Sequence, residues 1–319
     1  MNSVKITRRN ALARTGLLVG GAFASSGIRL SKGAERPETS SSPFRYCLNT
    51  ATIRGQKLGL VKELEIAAAA GYEGIEPWVE SIDAYAKNGG SLPDLRKRIA
   101  DLGLIVEDAI GFPEWVVEDD ERRAKGFERA KREMELVAQL GGKRLAAPPA
   151  GATDLPKLDL LKIAERYRQL LEAGQQIGVV PQLELWGFSK NLSRLSECVA
   201  VAMETAHPNA CVLADVFHLN KGGSELRGIH LLSADAIHIL HMNDFPADPP
   251  REKLDDSYRM YPGDGVAPLN EILRLLHASG GQKVLSLELF NRKYWSEDPL
   301  SVAKTGLAKM KAVAGRALA

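Results

Sequence analysis

Cysteine and histidine are scarce in this chain: three and six residues among 319. Cys47, Cys198 and Cys211 are an odd number without the short paired spacings of a thiolate site, which excludes a zinc finger and a disulfide scaffold. Cys47 and Cys211 lie in strand-like runs, where a thiol behaves as a small buried hydrophobe. Long apolar runs are missing too. The stretch Leu17–Phe23 falls well short of the ~20 residues a membrane span requires. An excess of one charge is also lacking, with 42 basic residues against 40 acidic ones. Met1–Ala24 holds four of those bases (Lys5, Arg8, Arg9, Arg14) and no acid, so the remainder carries a net −2. That balance offers no clustered basic face and excludes a nucleic-acid partner.

The first residues have a pattern of their own. Thr7-Arg8-Arg9-Asn10-Ala11-Leu12 is a twin-arginine sequence, followed by the Leu17–Phe23 stretch and the small-x-small site Ala22-Phe23-Ala24. Residues 1–24 are therefore expected to be a signal peptide recognised by the Tat export machinery. The mature chain would be periplasmic or otherwise extracytoplasmic, with no stable membrane insertion after cleavage. Residues 25–43, rich in Ser, Gly and charge, read as a flexible linker, and residues 44–319 as one domain.

From Pro43 onward, strand and helix signals alternate. Strands are expected at 45–49, 74–78, 104–110, 144–147, 179–186, 210–215, 236–242 and 283–290. Helices are expected at 57–70, 92–102, 119–140, 158–177, 192–206, 224–232 (weak), 268–278 and 299–314. Strict alternation argues for a parallel sheet. Eight units without a composition break predict an α/β fold, a single-domain (β/α)₈ TIM barrel.

In such a barrel the C-terminal strand ends carry the active site. Four runs end alike: LELW at Glu184, VLAD at Asp215, HILH at His241 and LSLE at Glu288. Strand alternation turns Glu184 inward with Gln182 and Trp186, between outward Leu183 and Leu185, and sends His241 to the side opposite His238. An inward carboxylate needs a partner, since an unpaired buried charge is costly. Three carboxylates and one imidazole make one hard, oxygen-rich metal site. It suits Mn²⁺ first, then Mg²⁺, with Zn²⁺ and Co²⁺ also compatible.

These motifs give the chain a family likeness. Glu184 in LELW, Asp215 and His218 in LADVFH, His241 in HMND, the YPGDG turn at 261–265 and Glu288 in LELF resemble the xylose isomerase-like TIM-barrel superfamily of sugar isomerases, epimerases and endonuclease IV. The resemblance implies a metal held by Glu184, Asp215, His241 and Glu288, with His218 and Arg259 touching substrate. It also implies that Glu184 and Glu288 act as the catalytic pair, one removing a proton α to a carbonyl and the other returning it through an enediolate. The expected substrate is a small carbohydrate, a keto-sugar or related polyol. Elimination by a lyase or dehydratase on a keto-inositol or 3-keto-glycoside shares the same first step and stands as the alternative.

Glu76 with Trp78, and Trp186, are further candidates for the substrate wall, as is Phe112 in the run Phe112–Trp115. The loop 247–259 reads either as a binding loop or as a solvated insertion. Ketose epimerases of this group carry an extra acid shortly after the first metal glutamate. Here Gly187-Phe188-Ser189-Lys190-Asn191 stands in its place, which argues against a standard ketohexose. The three-metal nuclease arrangement needs early histidines, and none precedes His207. A non-catalytic sugar-binding barrel would not need the Glu184–Glu288 pair. A homo-oligomer is compatible with the sequence.

Overall fold

The computed structural model describes residues 42–319; the expected signal peptide, and the linker up to residue 41, lie outside the described residues. The last two linker residues are ordered against the barrel. The Pro43 carbonyl accepts from the Lys283 amide at 2.9 Å, and the Ser42 carbonyl from Gln282 Nε2 at 3.1 Å.

Eight parallel strands form one curled sheet: β1 (Phe44–Asn49), β2 (Gly74–Glu76), β3 (Ile105–Val106), β4 (Arg144–Ala147), β5 (Val180–Glu184), β6 (Val212–Asp215), β7 (Ile237–Met242) and β8 (Lys283–Leu287). Their order is β3-β2-β1-β8-β7-β6-β5-β4. Every neighbouring pair is parallel. The seam between β3 and β4 has no regular ladder; the Ala146 amide donating to the Ala109 carbonyl at 2.9 Å bridges it. The third strand is far shorter than the expected 104–110. Past Val106 come Glu107 and Asp108, whose carboxylates seek partners elsewhere, and pairing resumes only as an isolated bridge between Trp78 and Ile110.

The connecting helices are α1 (Leu60–Ala70), α2 (Val79–Lys87), α3 (Leu92–Asp101), α4 (Asp120–Gln139), α5 (Leu160–Ile177), α6 (Leu195–Thr205), α7 (Val216–Lys221), α8 (Leu269–Ala278) and α9 (Pro299–Leu318). Their ends follow local chemistry. Asp119 caps α4 by accepting from the Arg122 amide at 2.8 Å, and Gly141 leaves it in the left-handed region at φ +86°. Two elements differ from expectation. Helix α2 was not anticipated, because Val79–Lys87 is short and buries only Val79 and Ile82. The weak helix at 224–232 is a 3-10 turn, Leu226–Leu231, preceded by the short α7.

The large apolar core fills the space between strands and helices, with Leu183, Leu185, Leu240, Leu285 and Leu287 facing it. The barrel interior holds a small apolar plug of Cys47, Ile110, Ala146, Leu213, Ile239 and Val284. Around that plug lie the buried polar side chains Asn49, Glu76, Asp108, Gln182 and Ser286. Burying such groups unpaired costs on the order of 1–3 kcal/mol each, so they bond across the barrel. Gln182 Nε2, for example, donates to Asp108 Oδ2 at 2.9 Å. Cys47, Cys198 and Cys211 are buried and unpaired. Among the described residues no helix is long and apolar enough to cross a membrane.

Candidate metal centre

Four strand ends deliver the expected acids and histidine to the C-terminal mouth. His241 is fully buried at the end of β7, on the same face as Ile239, whereas His238 is half-buried on the other side. Burial, then Arg144 and Lys283, pushes the His238 imidazole down to about 4, so it stays neutral at physiological pH.

The imidazole of His241 is held from below. Its Nε2 lies 2.9 Å from Glu76 Oε1. The other Glu76 oxygen accepts from Asn49 Nδ2 at 2.8 Å and from Ser286 Oγ at 2.6 Å. A carboxylate only accepts, so Nε2 carries a proton, and Nδ1 faces the mouth. Nδ1 has no hydrogen-bond partner. It sits 3.1 Å from Glu288 Oε2, 3.6 Å from Asp215 Oδ2 and 3.9 Å from Glu184 Oε1.

Asp215, His241 and Glu288 each offer a ligand atom, and the three atoms lie within 4.8 Å of one another. Glu184, the fourth expected ligand, is not gathered into that set, and its Oε2 is buried without a partner. The difference follows from charge pairing. Arg259 Nη1 donates to Asp215 Oδ2 at 2.5 Å and to Glu288 Oε2 at 2.9 Å, and its ion pairs are with Asp215, Asp256 and Glu288 rather than Glu184. Burial raises the Asp215 carboxyl, yet Arg259, then His218 and His241, hold it well below the usual range. Burial raises Glu184 well above its ordinary value; His241 opposes this, and Glu288 and Asp215 add to it. Burial disfavours the His241 imidazolium, but Glu288, Glu76 and Asp215 outweigh it and raise the group well above normal.

The donor set fits a divalent cation. Four buried carboxylates (Glu76, Glu184, Asp215, Glu288) face one permanent cation, Arg259, and the imidazole. An orphaned ring nitrogen points at two carboxylate oxygens, while a second carboxylate fixes the ring from behind, the arrangement that orients metal-binding histidines. Glu76 therefore holds His241 and does not meet substrate, contrary to expectation, since both its oxygens are taken by the protein. Glu76→Gln is expected to weaken divalent-metal binding about 10–100-fold, measured by titration calorimetry. An affinity within twofold of the unaltered protein would contradict this role.

Arg259 is 1% exposed and packed between Phe217 and Phe290, with its guanidinium 4.9 and 5.2 Å from the ring centroids. Asp256 accepts from its Nε at 2.9 Å, and its Nη2 lies 3.1 Å from His218 Nε2. The loop 247–259 thus brings Asp256 and Arg259 into the site. Asp244 braces the segment beyond it, accepting from the amides of Gly263, Gly265 and Ala267.

Above the acids lies a cavity of about 200 Å³ lined by Glu184, Glu288, His218, Arg259 and Asp256 among others. Its wall is aromatic. Trp78 and Phe112 meet at 5.2 Å, Phe112 and Trp186 at 5.8 Å, and Trp186 and Phe188 at 5.3 Å. Trp186 and His218 thus line the cavity. Trp115 instead lies in the core, its Nε1 donating to the Pro148 carbonyl at 2.9 Å. Phe188 of the Gly187–Asn191 loop lines the cavity, and the buried Asn191 ties that loop down by accepting from the Leu158 amide at 2.8 Å.

Residues 64–313 match the family described as xylose isomerase-like TIM barrel. The chain belongs to this family. Its relatives include the 3-dehydroshikimate dehydratase of Pseudomonas aeruginosa, 28% identical over 256 residues, 79% of this chain and 39% of that protein. The chain thus spans about two-fifths of the dehydratase's length. The inosose isomerase of Bacillus velezensis is 26% identical over 283 residues, 86% of this chain and 98% of that protein. Among solved structures, the IolI protein with a bound zinc atom has a TM-score of 0.78 at 23% identity, covering 85% of this chain and 98% of that one.

The sequence did not single out Asn49, Ser286 or Phe290, and it marked Asp256 and Phe188 only as members of the loops 247–259 and 187–191. The only signal was positional: Asn49 ends β1, and Ser286 lies two residues before Glu288 on the inward face of β8.

Proposed function

We propose that this protein is a divalent-metal-dependent isomerase or epimerase of a keto-sugar or related polyol, working by proton transfer between carboxylates and carbon. The observation that carries the reading is Glu184 Oε2, a buried carboxylate oxygen without a protein partner, in the same aromatic-walled cavity as Glu288. Asp215, His241 and Glu288 would hold the ion, with Glu184 completing the set. Mn²⁺ suits these ligands best, ahead of Mg²⁺, Zn²⁺ and Co²⁺. The ion would supply Lewis-acid polarisation of the substrate, acidifying the proton α to its carbonyl.

The chain's own groups do the rest. Trp78, Phe112 and Trp186 present apolar edges to a sugar ring and exclude water. Arg259 and His218 orient its oxygens. One of Glu184 and Glu288 takes the α-proton, leaving an enediolate, and the other delivers a proton. Return to the opposite face of the same carbon epimerises; return to the neighbouring carbon isomerises. The raised carboxyl of Glu184 suits a group that must both gain and lose a proton.

A dehydratase reading is favoured by the similarity to 3-dehydroshikimate dehydratase. It begins with the same proton removal and ends with loss of a β-hydroxyl as water. We further infer export by the Tat route with the metal already in place, from the residue pattern at 1–24.

The metal-loaded protein in D₂O is expected to place one solvent deuterium at the carbon α to the carbonyl of a keto-sugar, read by NMR. Elemental analysis is expected to find about one divalent ion per chain. Loading should fall as pH falls, because the ion and a proton compete for His241 Nδ1. Turnover with full retention of substrate hydrogen, or undiminished activity after chelation, would overturn the mechanism.

A further inference from the structure

Asn49 ends β1, and the strands on either side of β1 in the sheet are β2 and β8. The ladder sets Asn49 opposite Glu76 of β2 and Leu48 opposite Leu287 of β8, so Glu288 comes next beside Asn49. Neighbouring strands lie only ~4.8 Å apart. Two carboxylates therefore flank one buried amide, and that amide is fully used. Its Nδ2 donates to Glu76 Oε2 at 2.8 Å and to Glu288 Oε1 at 3.1 Å. Its Oδ1 accepts from the Ala51 amide at 2.9 Å and from Trp78 Nε1 at 3.2 Å. Turning the amide over would set its oxygen against two carboxylates and its nitrogen against two N–H donors, so its direction is forced.

Glu288 is thereby held at both oxygens. Oε1 meets Asn49, while Oε2 accepts from Arg259 Nη1 at 2.9 Å and faces His241 Nδ1 at 3.1 Å. The strands beside Glu184 supply no such donor. Opposite Glu184 on β6 is the apolar Leu213. On β4, Ala147 lies opposite Leu183, and the next place belongs to Pro148, which has no N–H.

We propose that Asn49 is a positioning residue for Glu288: it fixes that carboxylate in one orientation, with Oε2 turned to the metal cluster, and ties the orientation to Trp78 of the cavity wall. A carboxylate so held meets a substrate carbon from one direction, and a misplacement of about 1 Å can cost on the order of 10²-fold in rate. The part of the proposal that concerns turnover rests on the isomerase or epimerase reading above.

The test uses the full-length protein, loaded with Co²⁺ or Mn²⁺, and three variants. Asn49→Ser keeps a side-chain oxygen able to cap the Ala51 amide but is too short to reach either carboxylate. Asn49→Asp keeps the acceptor for Ala51 and Trp78 and offers no amide donor; either variant suffices if the other does not fold. Ser286→Ala removes the other donor from the same Glu76 oxygen, so it reports what Asn49 does through Glu76 alone. At saturating Co²⁺, the visible absorption of the ion, which follows its ligand geometry, is expected to shift in the Asn49 variants in a way Ser286→Ala does not share. At saturating Mn²⁺, solvent deuterium uptake into 2-keto-myo-inositol or D-fructose is expected to be about 10–100-fold slower in the Asn49 variants than in Ser286→Ala, the loss lying in kcat rather than KM. Spectra that match Ser286→Ala, or equal uptake, would overturn the positioning role. A spectral shift without uptake into either probe by the unaltered protein retains the role and rejects the reaction. Uptake by the unaltered protein that the Asn49 variants equal retains the reaction and rejects the role.

Discussion

Glu184→Gln is expected to lower turnover by about 10³-fold, within the range attributed to a positioned acid or base, while the protein stays folded. Gln keeps the shape of the side chain and removes its charge. Burial already raises the Glu184 carboxyl well above its ordinary value, so neutralising it relieves an unfavourable charge, and thermal stability should hold or rise. Asp215, His241 and Glu288 remain grouped without it, so much of the metal binding should persist. Glu288→Gln should behave differently. Glu288 Oε2 faces both His241 Nδ1 and Arg259, so its loss should lower metal content as well as turnover. Steady-state kinetics beside elemental analysis separates the two variants. More than a tenth of normal turnover in Glu184→Gln would remove this residue from the chemistry.

Arg259→Met is expected to destabilise the protein by about 3–5 kcal/mol, the usual cost of removing one partner from a buried ion pair. That corresponds to a fall in Tm on the order of 10 °C. Arg259 is the permanent cation among the buried acids, and it bonds Asp215, Glu288 and Asp256 at once. Without it, Asp215 and Glu288 would repel each other in a poorly solvated mouth. Saturating Mn²⁺ should recover part of the loss, because a ligand that binds only the folded state stabilises it by mass action. Arg259→Lys should not restore full stability, since one ammonium cannot reproduce a guanidinium fork spread over three carboxylates. Calorimetric melting with and without metal gives both results. A Tm unchanged in Arg259→Met would show that the pairing contributes nothing to stability.

Much of this site was legible in the residues because a strand has a period of two. Once LELW, VLAD, HILH and LSLE were read as strands ending at one mouth, the faces of Glu184, Asp215, His241 and Glu288 followed. The same rule turned His238 away. What the period does not convey is how far each inward side chain reaches. Asp215 and Glu288 were drawn into one cluster with His241 because Arg259 arrives between them from a loop. Glu184 lay beyond its reach and stayed apart. Glu76 illustrates the same limit. Its inward direction was clear, but its partners sit at positions 49, 241 and 286, on strands β1, β7 and β8. Helix α2 was hidden because it is only nine residues long and buries just Val79 and Ile82, and β3 was cut short because Glu107 and Asp108 bond to Arg45 and Gln182.

By itself the sequence determined the alternation of strands and helices, the single barrel, and the four strand ends that share a mouth, because each of these depends on short-range periodicity. The tertiary structure decided which of the four stand close enough to share an ion and that Glu76 supports His241 rather than meeting substrate. It also decided that the Asn49 amide bonds Glu76 and Glu288 at once. Those outcomes depend on curvature and closure of the sheet, which place side chains more than 200 residues apart within one hydrogen bond, as Ser286 and Glu76 are at 2.6 Å.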